Sequence, residues 1–142
     1  MTKDKQNYEQ VIIIGGTGQI GHRMVEAYVK DGFEGTILAT SRVVRDGLPA
    51  GPLGTTIVGK AREWARPNLF WSALDFEAEK NVLKEQIAAF DKFLKPGKKT
   101  VLILAAAFTN VDACGTDPEK CKTVNEANTL AVFYWAQKNY DA

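Results

Sequence analysis

Cysteine is scarce in this sequence, long apolar runs are missing, and neither sign of charge dominates. The two cysteines, Cys114 and Cys121, are too few for a disulfide framework, and their spacing fits no metal-ligand pair. The longest apolar run, Val101 to Phe108, is far too short to span a bilayer. Only Val11 to Ile14 follow the polar N-terminus before glycines begin, so no signal peptide is expected here. With 18 basic residues against 17 acidic ones and no Lys/Arg-rich run, the electrostatic footprint of a nucleic-acid binder is missing. What is present is 142 residues, 45% hydrophobic and 25% charged, with no internal repeat or low-complexity tract. That profile predicts one soluble globular domain in a reduced, cytoplasmic setting.

Residues 1–9 read as a disordered polar arm, with the domain proper spanning 10–142. Val11 to Ile14 is a short β-branched run, the mark of a strand buried on both faces. A helical pattern follows in Ile20, Met24, Ala27 and Tyr28, with Asp31-Gly32 as its stop. Thr36 to Thr40 predicts a second strand and Leu69 to Ala73 a third. Residues 43–68, rich in glycine and proline, read as a long loop in which Thr55 to Val58 could form a small extra strand. Val82, Leu83, Ile87, Phe90 and Leu94 form a helical stripe that Lys95-Pro96-Gly97 ends. Thr100 to Ala107 is the fourth strand and the most apolar segment. Asp117-Pro118-Glu119 then opens a helix expected to run to about Lys138. Strands alternating with helices imply an α/β fold with a parallel sheet, because parallel neighbours need crossover connections.

The sharpest motif is Gly15-Gly16-Thr17-Gly18-Gln19-Ile20-Gly21, set between a buried strand and a helix. In such a turn the first glycine allows the tight bend, and a small residue at 18 lets backbone amides approach a pyrophosphate. Gly21 lets helix and strand pack closely, and the helix start favours the anion. Thr17, Gln19 and Ile20 stand between these glycines. A glycine turn can also be an ordinary strand-to-helix connection, but the βαβ setting favours a nucleotide.

The end of the second strand refines that reading. A site preferring NAD places an acid about 20 residues after the motif, on the ribose 2′-hydroxyl. Here the chain has Ala39-Thr40-Ser41-Arg42, with no acid until Asp46. The Ser41 hydroxyl and Arg42 guanidinium suit a 2′-phosphate, so NADP is favoured over NAD. The alternative is that Arg42 is a solvated loop cation.

With these residues in hand, the chain resembles the extended short-chain dehydrogenase/reductases, the NAD-dependent epimerase/dehydratase superfamily. Within them it is most similar to the dTDP-4-dehydrorhamnose reductase branch. The resemblance is carried by Ala105-Ala106-Ala107-Phe108-Thr109-Asn110-Val111-Asp112, then Asp117-Pro118-Glu119, then Val124-Asn125 and the Gly-Gln-Ile-Gly end of the glycine turn. It implies a Rossmann-type doubly wound parallel sheet of order 3-2-1-4. The resemblance further implies that the amides of Gly18, Gln19 and Ile20 hold the pyrophosphate. It also implies that Asp75 and Phe76 contact the adenine end of the cofactor, that Ala106, Ala107 and Phe108 line its ribose and nicotinamide side, and that Asn125 has a supporting role. Without the family, Asp75 is equally a helix cap.

The resemblance covers nearly all of this chain but only the first half of a typical family member. The family's chemistry uses a Ser/Thr after a fifth strand and a later Tyr-x-x-x-Lys. Tyr134 and Lys138 match that spacing literally, yet they follow Asn125 on the same expected helix with no strand between, so no catalytic residue is assigned. The resemblance thus implies the NADP-binding portion of a reductase or epimerase, truncated after the fourth strand and its following helix. Its intact form would transfer hydride at a 4-keto carbon of a nucleotide sugar, and this portion alone would not catalyse. A non-catalytic NADP-binding regulatory subunit is the alternative, and a module for another nucleotide a third.

The remaining expectations concern single residues and one edge. His22 beside the turn reads as a solvated helix residue, and Trp64, Trp71 and Trp135 as packing residues. Strand order 3-2-1-4 leaves Thr100 to Ala107 at an open sheet edge, which predicts self-association there.

Overall fold

The computed structural model describes residues 8–50, 61–105, 116, 118–122, 127 and 129–141. Four parallel strands form the central sheet: β1 (Gln10–Ile14), β2 (Thr36–Ser41), β5 (Leu69–Ala73) and β6 (Thr100–Leu104), in the order β5-β2-β1-β6. Parallel pairing is what the alternating pattern predicts, and the order is the 3-2-1-4 that the resemblance implies. The order of strand addition reverses between β1 and β6, the place where open α/β sheets bind ligands at their carboxyl ends.

β1 lies in the middle, and all five of its residues are buried. Its β-branched side chains alternate between two apolar layers. Ile12 and Ile14 join Leu38, Leu83, Ile87, Phe90 and Val132 on one face. Val11 and Ile13 join Val25, Val29, Ile37, Trp64 and Trp71 on the other. Phe90 is fully buried, so truncating it to alanine should cost about 3–5 kcal/mol. Gln10 is the polar exception, 2% exposed. Its side chain donates to the Lys95 carbonyl and to Thr100 Oγ1 and accepts from the Lys95 amide, at 3.1, 3.1 and 2.6 Å. A buried amide is tolerated when it is satisfied in this way.

One face of the sheet carries α1 (Gly21–Lys30); the other carries α2 (Lys80–Ala89), a 3-10 turn (Phe90–Lys92) and α4 (Thr129–Asn139). Helix α1 presents Gly21, Val25 and Val29 to the core, whereas Ile20 is 69% exposed and Ala27 is exposed. The stripe read from Ile20, Met24, Ala27 and Tyr28 is therefore rotated from the true core face. Gly32 ends the helix at φ +71°, with its amide bonded to Val29 and that of Phe33 to Tyr28. In α2 the buried positions are Leu83 and Ile87, while Val82 is 42% exposed.

Residues 43–50 correct the expectation of a long loop. They form an antiparallel hairpin of β3 (Val43–Arg45) and β4 (Leu48–Ala50). Asp46 and Gly47 turn it, both at positive φ (54° and 75°), as tight hairpin turns require. Val44 and Leu48 pack on the α1 side of the core. A helical turn at 61–64 follows, and Thr55 to Val58 lies outside the described residues.

The expected last helix is described as two pieces, α3 (Pro118–Lys122) and α4. After α4, Asp141 bridges to Lys99 in parallel, with the Thr100 amide donating to the Asp141 carbonyl at 2.7 Å. Glu9 is likewise tied down rather than part of a free arm. Its amide donates to Lys99 and its carbonyl accepts from Thr36, while residues 1–7 lie outside the described set. No helix among the described residues is long and apolar enough to cross a membrane.

Candidate functional site at the carboxyl end of the sheet

The glycine turn joins β1 to α1 at the carboxyl end of the central strand. Gly15 has φ +86°, a conformation that a side chain would strain. Its amide donates to Thr40 Oγ1 at 2.9 Å and the Gly16 amide donates to the Thr40 carbonyl at 2.7 Å, so the end of β2 pins the turn. A Cβ at Gly16 would lie 2.9 Å from the Trp71 ring and 3.0 Å from Ala39. A Cβ at Gly21 would overlap the Gly15 carbonyl, the close helix-strand approach that the motif predicts. At Gly18 a Cβ would make only ordinary contact, 3.4 Å from the Gly15 carbonyl oxygen. Steric packing therefore explains glycine at 21 but not at 18.

Helix α1 begins without a side-chain cap, although the turn itself engages two amides: that of Gly18 donates to the Gly15 carbonyl and that of His22 to the Gly18 carbonyl, both at 3.0 Å. Its cap residue, Ile20, makes no side-chain hydrogen bond, and the first turn holds no acidic residue. Gly18, Gln19 and Ile20 are exposed there, and Thr17 is half-buried. The helix dipole, with no acid in the first turn, favours an anion at such a start. His22 donates from Nδ1 to the Gly18 carbonyl at 2.7 Å, and its ring stacks on Trp64 at 6.5 Å between centroids. It is thus bound to the turn rather than simply solvated. Trp64, 3% exposed, donates its indole N–H to Glu26 at 3.3 Å. Trp71 is 5% exposed, and its Nε1–H has no hydrogen-bond partner among the described residues.

The ends of β2 and β5 lie side by side, with Ser41 in register with Ala73. Ser41 itself is buried. Arg42 emerges just beyond it, its side chain 68% exposed, and its Nε lies 3.5 Å from Asp75 Oδ1. Its Nη2 lies 3.3 Å from Glu77 Oε2. Asp75 Oδ1 accepts the Glu77 amide at 3.0 Å, and the Asp75 amide donates to Gln86 on α2 at 2.9 Å. The side chain of Phe76 is buried in the core layer beneath. Glu77 and Thr40 are the residues here that the sequence reading missed. Thr40 stood in a predicted strand, and Glu77 was one acid in an acidic stretch. The β1–β2 pairing shows what Thr40 meets, and the β2–β5 pairing what Glu77 meets.

Gly15, Thr17, Gly18, Gln19, Ile20, Gly21, Ser41, Arg42, Asp75 and Phe76 are thereby gathered at one end of the sheet. Ala106, Ala107, Phe108 and Asn125 lie outside the described residues. They follow Ala105, whose amide donates to the Ile14 carbonyl at 2.9 Å, so the chain leaves β6 beside the end of β1. Tyr134 and Lys138 are exposed on α4. A separate groove of about 350 Å³ at the opposite, amino end of the sheet is lined by Val29, Phe33, Ile37 and Pro67, with Glu34 and Arg66 among its polar residues.

No protein-family profile matches the sequence, and no curated protein sequence matches it. The fold is similar to that of several solved structures. Pen from Bacillus thuringiensis aligns at TM-score 0.65 and 19% identity, over 92% of this chain and 34% of that one. A UDP-glucose 4-epimerase from Thermotoga maritima, solved with UDP-glucose, aligns at 0.59 and 16%, over 91% and 34%. A short-chain dehydrogenase/reductase of Saccharomyces cerevisiae aligns at 0.61 and 14%, over 92% and 48%. The chain thus spans between about a third and a half of these structures' lengths. At these identities the likeness shows a fold: the Rossmann-like α/β sheet found in short-chain dehydrogenase/reductase and epimerase structures.

Proposed function

We propose that this chain is the NADP-binding portion of a cytoplasmic reductase or epimerase, whose intact form acts on a 4-keto nucleotide sugar of the kind the dTDP-4-dehydrorhamnose reductase branch uses. The observation that carries the reading is the start of α1. Its amides have no side-chain cap, no acid stands in its first turn, and Gly15 and Gly21 hold it against the end of β1. A pyrophosphate is the group that such a turn suits.

In this reading the amides of Gly18, Gln19 and Ile20 hold the pyrophosphate, with Gly15, Thr17 and Gly21 shaping the turn. Ser41 and Arg42 meet the 2′-phosphate, and Asp75 and Phe76 border the adenine. Ala106, Ala107 and Phe108 line the nicotinamide side, and Asn125 supports the site. A bound nicotinamide dinucleotide supplies the hydride; the residues of this chain bind and orient it. The titration of the chain with NADPH, NADH and ATP, followed by calorimetry, tests the assignment. Saturable binding ranked NADPH, then NADH, then ATP is expected, with no ketone reduction by the chain alone. Real turnover would return Tyr134 and Lys138 to candidacy.

A further inference from the structure

The sequence shows no acid after β2 to receive a ribose 2′-hydroxyl, but the fold delivers two from the neighbouring strand. Beyond β5, Asp75 and Glu77 both reach the Arg42 guanidinium, at 3.5 and 3.3 Å. We infer that Glu77 sets the dinucleotide preference of this site by opposing a 2′-phosphate at Arg42. This rests on the dinucleotide reading above.

The two acids are held differently. Asp75 is tied into its own turn, since its carboxylate accepts the Glu77 amide and its amide donates to Gln86. Glu77 Oε2 contacts Nη2 of Arg42, a nitrogen that Asp75 does not use, and the Glu77 side chain is 26% exposed against 68% for Arg42. One guanidinium thus faces two carboxylates. A 2′-phosphate arriving there brings up to two negative charges beside Glu77 and must share a cation that is already engaged. A 2′-hydroxyl brings no charge and can donate to a carboxylate, the contact by which NAD sites hold their ribose. Arg42 and Glu77 therefore pull in opposite directions, and the site tolerates both dinucleotides with a narrow margin for NADPH.

The test compares the chain with Glu77→Gln, Glu77→Asp and Arg42→Gln by calorimetry, using NADPH, NADH and the half-molecules adenosine 2′,5′-bisphosphate and ADP. Glu77→Gln should raise the NADPH-to-NADH affinity ratio roughly fivefold, the scale of an exposed charge pair, through tighter NADPH binding. The same shift should appear between the two half-molecules and shrink as salt is raised. Glu77→Asp, which keeps the charge, should stay near the parent ratio. In an Arg42→Gln background, the tightening of NADPH binding by Glu77→Gln should shrink, because only the direct charge repulsion is left to relieve. An unchanged or lowered ratio with both dinucleotides still bound overturns the role of Glu77 and leaves the dinucleotide reading standing. Failure of the parent chain to bind either dinucleotide or either half-molecule overturns that reading and this inference with it.

Discussion

The α-carbon of Gly21 packs against the carbonyl of Gly15, so closely that any side chain at 21 would overlap it. Gly18 lies in the same turn but has room for a methyl group. The two glycines therefore answer different demands. Gly21→Ala should destabilise the fold by about 1–3 kcal/mol through overpacking. Gly18→Ala should change stability by less than about 0.5 kcal/mol, yet weaken dinucleotide binding by crowding the approach to the amides. Urea unfolding with parallel NADPH titrations separates the two effects; equal stability losses would contradict the distinction.

Arg42→Asp tests the cofactor assignment at its charged end. The change would place a third carboxylate beside Asp75 and Glu77 and remove the one guanidinium they share. The NADPH-to-NADH affinity ratio should fall roughly tenfold or more, the worth of a charge-assisted bond. An unchanged ratio would reduce Arg42 to a solvated cation.

Most of the sheet was legible because its strands are short apolar runs between clear breaks. Val11 to Ile14 is legible as a β-branched run and Leu69 to Ala73 as an apolar one, and their order is that of the doubly wound sheet the resemblance implies. The hairpin at 43–50 was not read, although Asp46-Gly47 is a strong turn signal. Its three-residue strands carry little periodicity, and Val44 and Leu48 gain their place only by docking on the core. The core face of α1 was misjudged because Ile20 is apolar yet sits at the exposed helix start. The meeting of Arg42 with Glu77 was illegible for a different reason. It depends on the register of β2 against β5, a non-local pairing that no local pattern encodes.

Tyr140 couples the end of α4 to the 3-10 turn, donating to Asp91 Oδ1 at 2.7 Å. Burial first, then the hydrogen bond to Asp91 and its negative charge, raises the phenol well above the usual tyrosine range. A raised folded-state value means this contribution is complete below about pH 10, the unfolded value, and is lost as pH climbs above it. Chemical denaturation between neutral and strongly alkaline pH should show stability falling from about pH 10 upward, with Tyr140→Phe flattening that fall. An equally steep decline in Tyr140→Phe would assign the alkaline loss elsewhere.

The outer edge of β6 bears on association. Its start is covered by the Lys99–Asp141 bridge, while Val101–Leu104 has no second strand partner among the described residues. Leu104 is 38% exposed there. Self-association along this edge is expected, because unpaired apolar strands template pairing. Sedimentation velocity should show a concentration-dependent larger species that Leu104→Lys weakens. A monomer at every concentration would exclude the edge as a contact.

The account as a whole rests on a dinucleotide meeting the uncapped start of α1 and the exposed Arg42. Calorimetric titration of the chain with NADPH, NADH and ATP measures this most directly. Saturable binding is expected, tightest for NADPH, weaker for NADH and weakest for ATP. No binding of either dinucleotide at millimolar concentration, or ATP bound as tightly as NADPH, would contradict it.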